Sequence, residues 1–399
     1  MRVALSNDIF WIGVIDWTVR DFHGYQTDRG STYNAYLICD DHLALIDTVK
    51  APFATQLIAN ITEVTKDHPL RYIICHHAEP DHSGSLPAVM KHYPQAEVVC
   101  NAKCRATLAQ YYDTTTWAFR IIKDGDRLSL GKRTLLFMDT PMVHWPESMC
   151  TYVPEERLLF SMDAFGQHLA SSTRFDDETP LDVVMAEAKT YYANILMPYG
   201  QPITRVLDRV KPLPLDLIAP SHGILWRRNI PMILQAYRDW TAGKPAAKTL
   251  VIYDTMWGST ARMAQAIFEG TLGLGIESKL IAIRSSNLTI LATEMLDTAA
   301  FAFGSPTLNT TLMPQAAAAL AYLKGLHPLN KSGLAFGSYG WGKGGAQAVA
   351  NALAEMKVAI IHDSIQAQFT PTPTILEICQ QTGRLLAETA RTTAERFKL

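Results

Sequence analysis

No two of the six cysteines stand in a CxxC pair; they fall at positions 39, 75, 100, 104, 150 and 379. That spacing speaks against a rubredoxin-type or zinc-ribbon module. So few scattered thiols in a chain of 399 residues also suggest reduced cysteines in a cytoplasmic protein, not a disulfide framework. No apolar run approaches the roughly 18 residues that would suggest a membrane span. The first residues, MRVALSNDIF, reach Ser-Asn-Asp before a signal-peptide core could form. Neither sign of charge is in excess: the net value is −2, so no nucleic-acid or polyanion surface is expected. Internal repeats and low-complexity tracts are missing as well. What these absences leave is a soluble cytoplasmic chain with two or three domains, and neither membrane nor nucleic acid as partner.

The hydrophobic pattern divides near WTAGKPAAK, residues 240–248, where small residues, Gly, Pro and Lys replace periodicity as in a short linker. Residues 1–245 mix strand-like runs with helical patterns. HLALIDTV (42–49), RYIICHH (71–77), AEVVC (96–100), RTLLFMDTP (133–141), MCTYV (149–153), RLLFSMD (157–163) and DLIAP (216–220) read as strands. Helical patterns sit at 51–64, 85–93, 102–112, 181–198 and 203–211, so two sheets faced by helices are expected. Residues 246–399 alternate more regularly. Strands are expected at 249–254, 278–283, 299–306, 333–340 and 358–362, with helices near 260–271, 313–326, 344–356 and 374–396. Such alternation predicts a doubly wound parallel sheet.

The stretch HHAEPDHSG (76–84) follows the apolar run YIIC. His77, Glu79, Asp81 and His82 stand at alternating spacing and are delivered by a strand, which points to a metal more than to a polar surface loop. His144 in TPMVHWPES, Asp163 in LFSMDAFG and His222 in IAPSHG each follow an apolar run and precede a turn. Singly, each reads equally well as a structural residue. Together with the loop they make four histidines and three carboxylates, enough for two ions.

In the second half, the first strand runs into DTMWGSTARMA (254–264). A loop with Gly258 and the hydroxyls of Thr255, Ser259 and Thr260, opening a helix, offers free N–H groups and positive dipole density to a phosphate. The absence of GxxxxGK[ST] speaks against a nucleoside triphosphate. Alone, this loop reads equally as a helix cap with nothing bound. The loops GSPTLN (304–309) and GSYGWGKGG (337–345) change the weighing, because ligands of doubly wound sheets bind beyond the strands' carboxyl ends. With the aromatics Trp257, Tyr339 and Trp341 they suit a phosphorylated planar ring.

This second constellation resembles flavodoxin and implies FMN. Thr255, Met256, Trp257, Gly258, Ser259 and Thr260 would hold its phosphate end, and Ser305, Pro306, Thr307, Asn309, Ser338, Tyr339, Gly340, Trp341 and Gly342 its ring. The first resembles the metallo-β-lactamase-like αββα sandwich, whose common zinc loop is HxHxDH. Glu79 replaces the second histidine. Carboxylate donors suit the change between ferrous and ferric iron better than a nitrogen-rich zinc site does. A lactamase-like domain followed by a flavodoxin-like one is the arrangement of the flavodiiron proteins, and the likeness extends to DWTVRDFHG (16–24), STYNAYL (31–37), HWPESM (144–149), DAFGQH (163–168), YYANI (191–195) and YDTMWGST (253–260). It is nearest to the core of bacterial flavorubredoxins, without their rubredoxin module.

The resemblance implies His77, Glu79 and His144 on one iron, Asp81, His82 and His222 on the other, and Asp163 bridging. His76 matches no ligand position. His168 reads as structural or outer, and His23, Trp145, Tyr191 and Tyr192 as outer or packing residues. The implied reaction is reduction of nitric oxide to nitrous oxide, dioxygen to water, or both, with a tilt toward nitric oxide. Dioxygen needs four electrons, and two ferrous ions with reduced FMN hold four. A head-to-tail homodimer, or a dimer of dimers, and an external donor such as rubredoxin complete the implied system. Two alternatives are a dizinc hydrolase with an appended flavodoxin domain and a flavodoxin-type carrier with a metal-free docking scaffold.

Overall fold

The computed structural model describes residues 2–66 and 68–397. Two compact units emerge. The first takes in the chain through Tyr191 and Tyr199–Arg238, and the second takes in Tyr192–Pro198 and the chain from Asp239 on.

In the first unit, seven strands form one sheet in chain order: β1 (Val3–Ser6), β2 (Ile9–Trp11), β3 (Tyr36–Ile38), β4 (Leu43–Ile46), β5 (Leu70–Ile74), β6 (Glu97–Asn101) and β7 (Ala118–Ile122). The first four pair antiparallel and the last four parallel. A second sheet holds β8 (Arg127–Ser129), β9 (Thr134–Asp139), β10 (Met149–Val153), β11 (Leu158–Met162) and β12 (Leu217–Pro220), with β11 and β12 parallel. Side-chain alternation assigns the faces. Ile46, Ile74 and Val99 of the first sheet share a core with Leu135, Phe137 and Phe160 of the second. Their neighbours Leu45, Ile73 and Val98 pack instead with Leu57, Ile61, Val89 and Leu108, from helices on the outer face. The result is the expected αββα sandwich.

In the second unit, β13 (Lys248–Tyr253), β14 (Glu277–Ala282), β15 (Ala300–Gly304) and β16 (Ser332–Tyr339) run parallel in the order β14-β13-β15-β16. Beyond them β17 (Ala359–Ile360) and β18 (Ile365–Gln368) pair with successive parts of β16. Leu250, Ile252, Phe301 and Phe303 face one helical layer, and Val251, Ala302, Leu334 and Phe336 the other. This is the doubly wound sheet.

Several elements differ from expectation. The helix expected over 181–198 ends at Tyr191 and continues as a π-helical turn, Tyr192–Leu196, and a 3-10 turn, Met197–Tyr199. Pro198 has no N–H to give to the carbonyl of Asn194, so an α-helix cannot run through it. The strand expected over 358–362 shrinks to β17, and β18 follows it unanticipated. Helices Ile230–Thr241 and Leu288–Asp297 also went unread, as did the short strands before Tyr36.

Candidate metal and flavin sites

All seven ligand candidates lie in the segments that follow strands of the first unit. His77 stands just past β5, and Glu79 caps the short helix Pro80–Ser83, which carries Asp81 and His82. His144 lies between β9 and β10, Asp163 follows β11, and His222 follows β12. Asp163 is aimed by two local irregularities: the β11–β12 register shifts between Phe160 and Met162, and Met162 itself has φ 57. A left-handed non-glycine residue beside a bulge re-aims the next side chain, and such backbones concentrate at functional sites.

The Asp163 carboxylate is fully buried and divides the cluster. Its Oδ2 lies 3.9 Å from His77 Nε2 and 3.5 Å from His144 Nε2. Its Oδ1 lies 3.3 Å from His82 Nε2 and 3.6 Å from His222 Nε2. Glu79 joins the first set, with Oε2 at 3.0 Å from His77 and 3.3 Å from His144. Asp81 joins the second, with Oδ2 at 3.0 Å from His82 and 3.1 Å from His222. Three triads each bring three ligand atoms within 4.8 Å of one another: His77–His144–Asp163, Asp81–His82–His222, and His23–Glu79–His144, which shares His144 with the first.

Asp81 Oδ1 and Oδ2, Asp163 Oδ2 and the Nε2 atoms of His82, His144 and His222 are buried without hydrogen-bond partners in the structure. They are near each other yet lack hydrogen-bond geometry. Buried polar atoms are normally satisfied, so lone pairs converging in this way are the mark of a cation site. The donors fit two ions.

Outer contacts fix the imidazoles. His222 Nδ1 lies 2.6 Å from the Thr32 carbonyl, which can only accept, so Nδ1 carries the proton and Nε2 turns its lone pair to the cluster. His77 Nδ1 lies 2.9 Å from Glu147 Oε1, a carboxylate–histidine arrangement that orients a ligand ring. Tyr191 donates to Asp163 Oδ1 at 2.9 Å. His23, held at φ 54, places Nε2 3.1 Å from Glu79 Oε1. His76 commits its ring nitrogens to Asp47 at 2.7 Å and Thr151 at 2.6 Å, away from the cluster. Sequence reasoning did not single out Glu147 or Thr32; only HWPESM, with a carboxylate three places after His144, held a signal.

Electrostatics follow from burial set against opposite charge. Burial disfavours a charged His77, but the carboxylates of Glu147 and Glu79 outweigh it and raise the ring to about 9. His82 is likewise raised despite burial, by Asp81 and Asp163. Burial pushes Glu79, Asp81 and Asp163 upward, and the surrounding histidines reverse that and hold all three below the usual carboxylate range. His168 is the exception: burial, His222 and His23 drive it well below an ordinary histidine, so it stays neutral.

Gly223, next to His222, has φ 78, and a Cβ there would meet the Gln167 side-chain oxygen at 1.9 Å and its backbone oxygen at 2.3 Å. Gln167 in turn holds Ile224 through both its amide groups. We expect Gly223→Ala to destabilise the protein by roughly 2–5 kcal/mol through backbone strain and overpacking and to lower its metal content. Chemical denaturation with metal analysis checks this; an unchanged midpoint would refute it.

In the second unit a cleft of about 440 Å³ opens beyond the carboxyl ends of β13, β15 and β16. Met256, Trp257, Ser259, Pro306, Thr307, Asn309, Ser338, Tyr339, Gly340, Trp341 and Gly342 line it, joined by Thr310 and Phe369, which sequence reasoning missed. Trp257 and Trp341 are 90% and 96% exposed, free to wall a planar ring. Gly258 (φ 83) precedes the helix Ser259–Thr271 and leaves its N-terminus open to a ligand. Thr260 and Ser305 spend their hydroxyls on the scaffold: Thr260 bonds Ser338, while Ser305 donates to the Pro306 carbonyl and accepts from Met313 N–H. Thr255 Oγ1, three residues before Gly258, is buried without a hydrogen-bond partner. An open helix N-terminus with an unspent hydroxyl fits the phosphate of FMN.

A β-lactamase-type sandwich with two facing ligand triads, joined to a flavodoxin-type sheet, defines the class. The family model for ODP family beta lactamase matches residues 32–223, and that for flavodoxin matches 251–383. The chain is 44% identical over 390 residues to nitric oxide reductase of Moorella thermoacetica, covering 96% of this chain and 98% of that one. It is similar to the solved flavodiiron protein from Giardia intestinalis, with a TM-score of 0.95 and 36% identity over 100% of this chain and 98% of that one. Rubredoxin oxygen:oxidoreductase from Desulfovibrio gigas gives a TM-score of 0.96 and 32% identity over 98% of this chain and 99% of that one. The chain belongs to the flavodiiron protein family.

Proposed function

We propose that this protein is an oxidoreductase that reduces nitric oxide to nitrous oxide, dioxygen to water, or both, with two non-haem irons in the first unit and FMN in the second. The observation that carries this reading is the Asp163 carboxylate, one oxygen facing His77 and His144 and the other His82 and His222. His77, Glu79 and His144 would hold one iron, Asp81, His82 and His222 the other, with Asp163 shared. Glu79, Asp81 and Asp163 bring three negative charges, which supports iron over zinc. When bound, the irons and the reduced flavin supply the electrons. The chain's own part is orientation and charge: Glu147 and the Thr32 carbonyl aim two imidazoles, Tyr191 hydrogen-bonds the shared carboxylate, and neutral His168 adds no competing cation. A hydrolase has no use for a flavin domain, and Glu79 weighs against a dizinc site.

Nitric oxide is the substrate we favour, supported by the Moorella relative. We further propose a cytoplasmic, head-to-tail homodimer, alone or paired as a dimer of dimers, that takes electrons from a rubredoxin or similar donor. Among the described residues no helix is long and apolar enough to cross a membrane. The test is anaerobic stopped-flow oxidation of the fully reduced, metal-quantified protein by each gas. Flavin and iron should oxidise rapidly with nitric oxide, yielding nitrous oxide. Slow reaction with both gases, despite two irons per chain, would overturn the assignment in favour of a docking role for the first unit or a substrate other than these gases.

A further inference from the structure

The phosphate cradle contains a carboxylate, and its partner comes from elsewhere in the sheet. Asp254 directly follows β13, and its backbone N–H donates to the Gly304 carbonyl at 2.9 Å. Its side chain is fully buried; Oδ1 accepts from Thr255 N–H at 2.7 Å and from Arg284 Nε–H at 2.6 Å. Arg284 stands in the 3-10 turn Ile283–Ser285, just past β14, and its side chain is half exposed. Asp254 Oδ2 and Thr255 Oγ1 are both buried without hydrogen-bond partners. Arg262, the other cation of this stretch, is directed to Thr370 Oγ1 at 2.9 Å.

A buried carboxylate adjoining a loop meant for a dianion is a conflict, since like charges in a poorly solvated setting repel strongly. One guanidinium hydrogen-bonded to that carboxylate resolves it. We propose that Arg284 is a positioning residue of the FMN phosphate cradle: it neutralises Asp254, the carboxylate that accepts from Thr255 N–H at the cradle's first residue, so that the anion's charge does not repel the phosphate. This inference rests on reading the second unit as an FMN site. It accounts for a cradle whose own arginine, Arg262, is turned to Thr370, because the cation that compensates Asp254 is borrowed from β14's end, 30 residues away.

Riboflavin, which has the same ring and no phosphate, separates this role from general support of the loop. Flavin-free protein is titrated with FMN and with riboflavin, following flavin fluorescence, in the wild type, Arg284→Ala, Arg284→Lys, Asp254→Asn and the double variant Asp254→Asn/Arg284→Ala. Arg284→Ala should weaken FMN about tenfold or more and leave riboflavin within about twofold, with the FMN loss shrinking as salt rises. Arg284→Lys keeps the charge and should recover most of the affinity. Asp254→Asn alone should cost little, and the double variant should return to within about threefold of wild type, because the anion needing compensation is gone. Unchanged FMN binding by Arg284→Ala, equal loss of FMN and riboflavin, or a double variant as weak as Arg284→Ala would each overturn the inference. If the wild-type protein binds neither flavin, the FMN reading fails first and takes the inference with it.

Discussion

Asp163→Asn is expected to lower the metal content from two ions to at most one per chain and to reduce turnover on the order of a thousandfold. The substitution keeps the size and shape of the side chain and removes one charge from the Glu79–Asp81–Asp163 set. It also replaces one carboxylate oxygen by an NH₂ group that presents two hydrogens. Because the two oxygens of Asp163 face different histidine pairs, the amide oxygen can serve one side and the amide nitrogen turns donors on the other. Altering a residue outside the ligand shell typically costs about 10–100-fold in metal affinity or activity. A carboxylate shared by both sides, as proposed for Asp163, would compound that cost. Tyr191→Phe makes the internal comparison, since it removes only the 2.9 Å hydrogen bond to Asp163 Oδ1 and should cost about tenfold with both ions retained. Two ions per chain and near-normal turnover in Asp163→Asn would show that Asp163 is not shared.

What was legible in the sequence has a local cause. HxExDH packs four donors into six residues behind an apolar strand, so neighbours in sequence remain neighbours in space. The loop after β13 is legible for the same reason, its Gly and hydroxyl residues being consecutive. His144, Asp163 and His222 were legible only as a pattern, each at the end of an apolar run. What stayed hidden depends on pairing over distance. The Thr32 carbonyl that fixes His222 is 190 residues away, and backbone carbonyls leave no trace in a sequence. Phe369 reaches the flavin cleft from the loop after β18, a strand the hydrophobic pattern did not reveal. The first strands, two to four residues each, are too short for period-two alternation to register. The helix Leu288–Asp297 exposes Leu288 and Ile290 at its start, which blurs the amphipathic signal.

Stripped of metal, the protein should become less stable as pH rises from about 6.5 to about 9, while the metal-loaded form should change little over that range. The sign follows from His77, whose ring is raised from 6.5 to about 9 in the folded, metal-free chain by Glu147 and Glu79 against the opposing effect of burial. A raised pKa means the folded state binds the proton more tightly than the unfolded state. The resulting stability is complete below 6.5 and lost as pH climbs through 9. For His77 alone the shift corresponds to about 3 kcal/mol, and His82, also raised, acts in the same direction. The depressed carboxylates Glu79, Asp81 and Asp163 act on the acid side: their contribution is present above about pH 4 and declines as pH falls toward their lowered values. Metal-free stability should therefore peak at about pH 5–6.5. In the proposed site an ion would need the same His77 and His82 lone pairs that carry those protons, so loading at pH 7 should expel at least one proton. Thermal unfolding of chelated and reconstituted protein at several pH values, with calorimetric metal titration in two buffers of different ionisation enthalpy, reads both effects. The gap between the two forms should widen toward pH 9, with proton release falling over the same range. A gap that narrows, or metal uptake without proton release at pH 7, would mean that the histidines are neutral before the ion arrives, and that the carboxylates do not hold them charged.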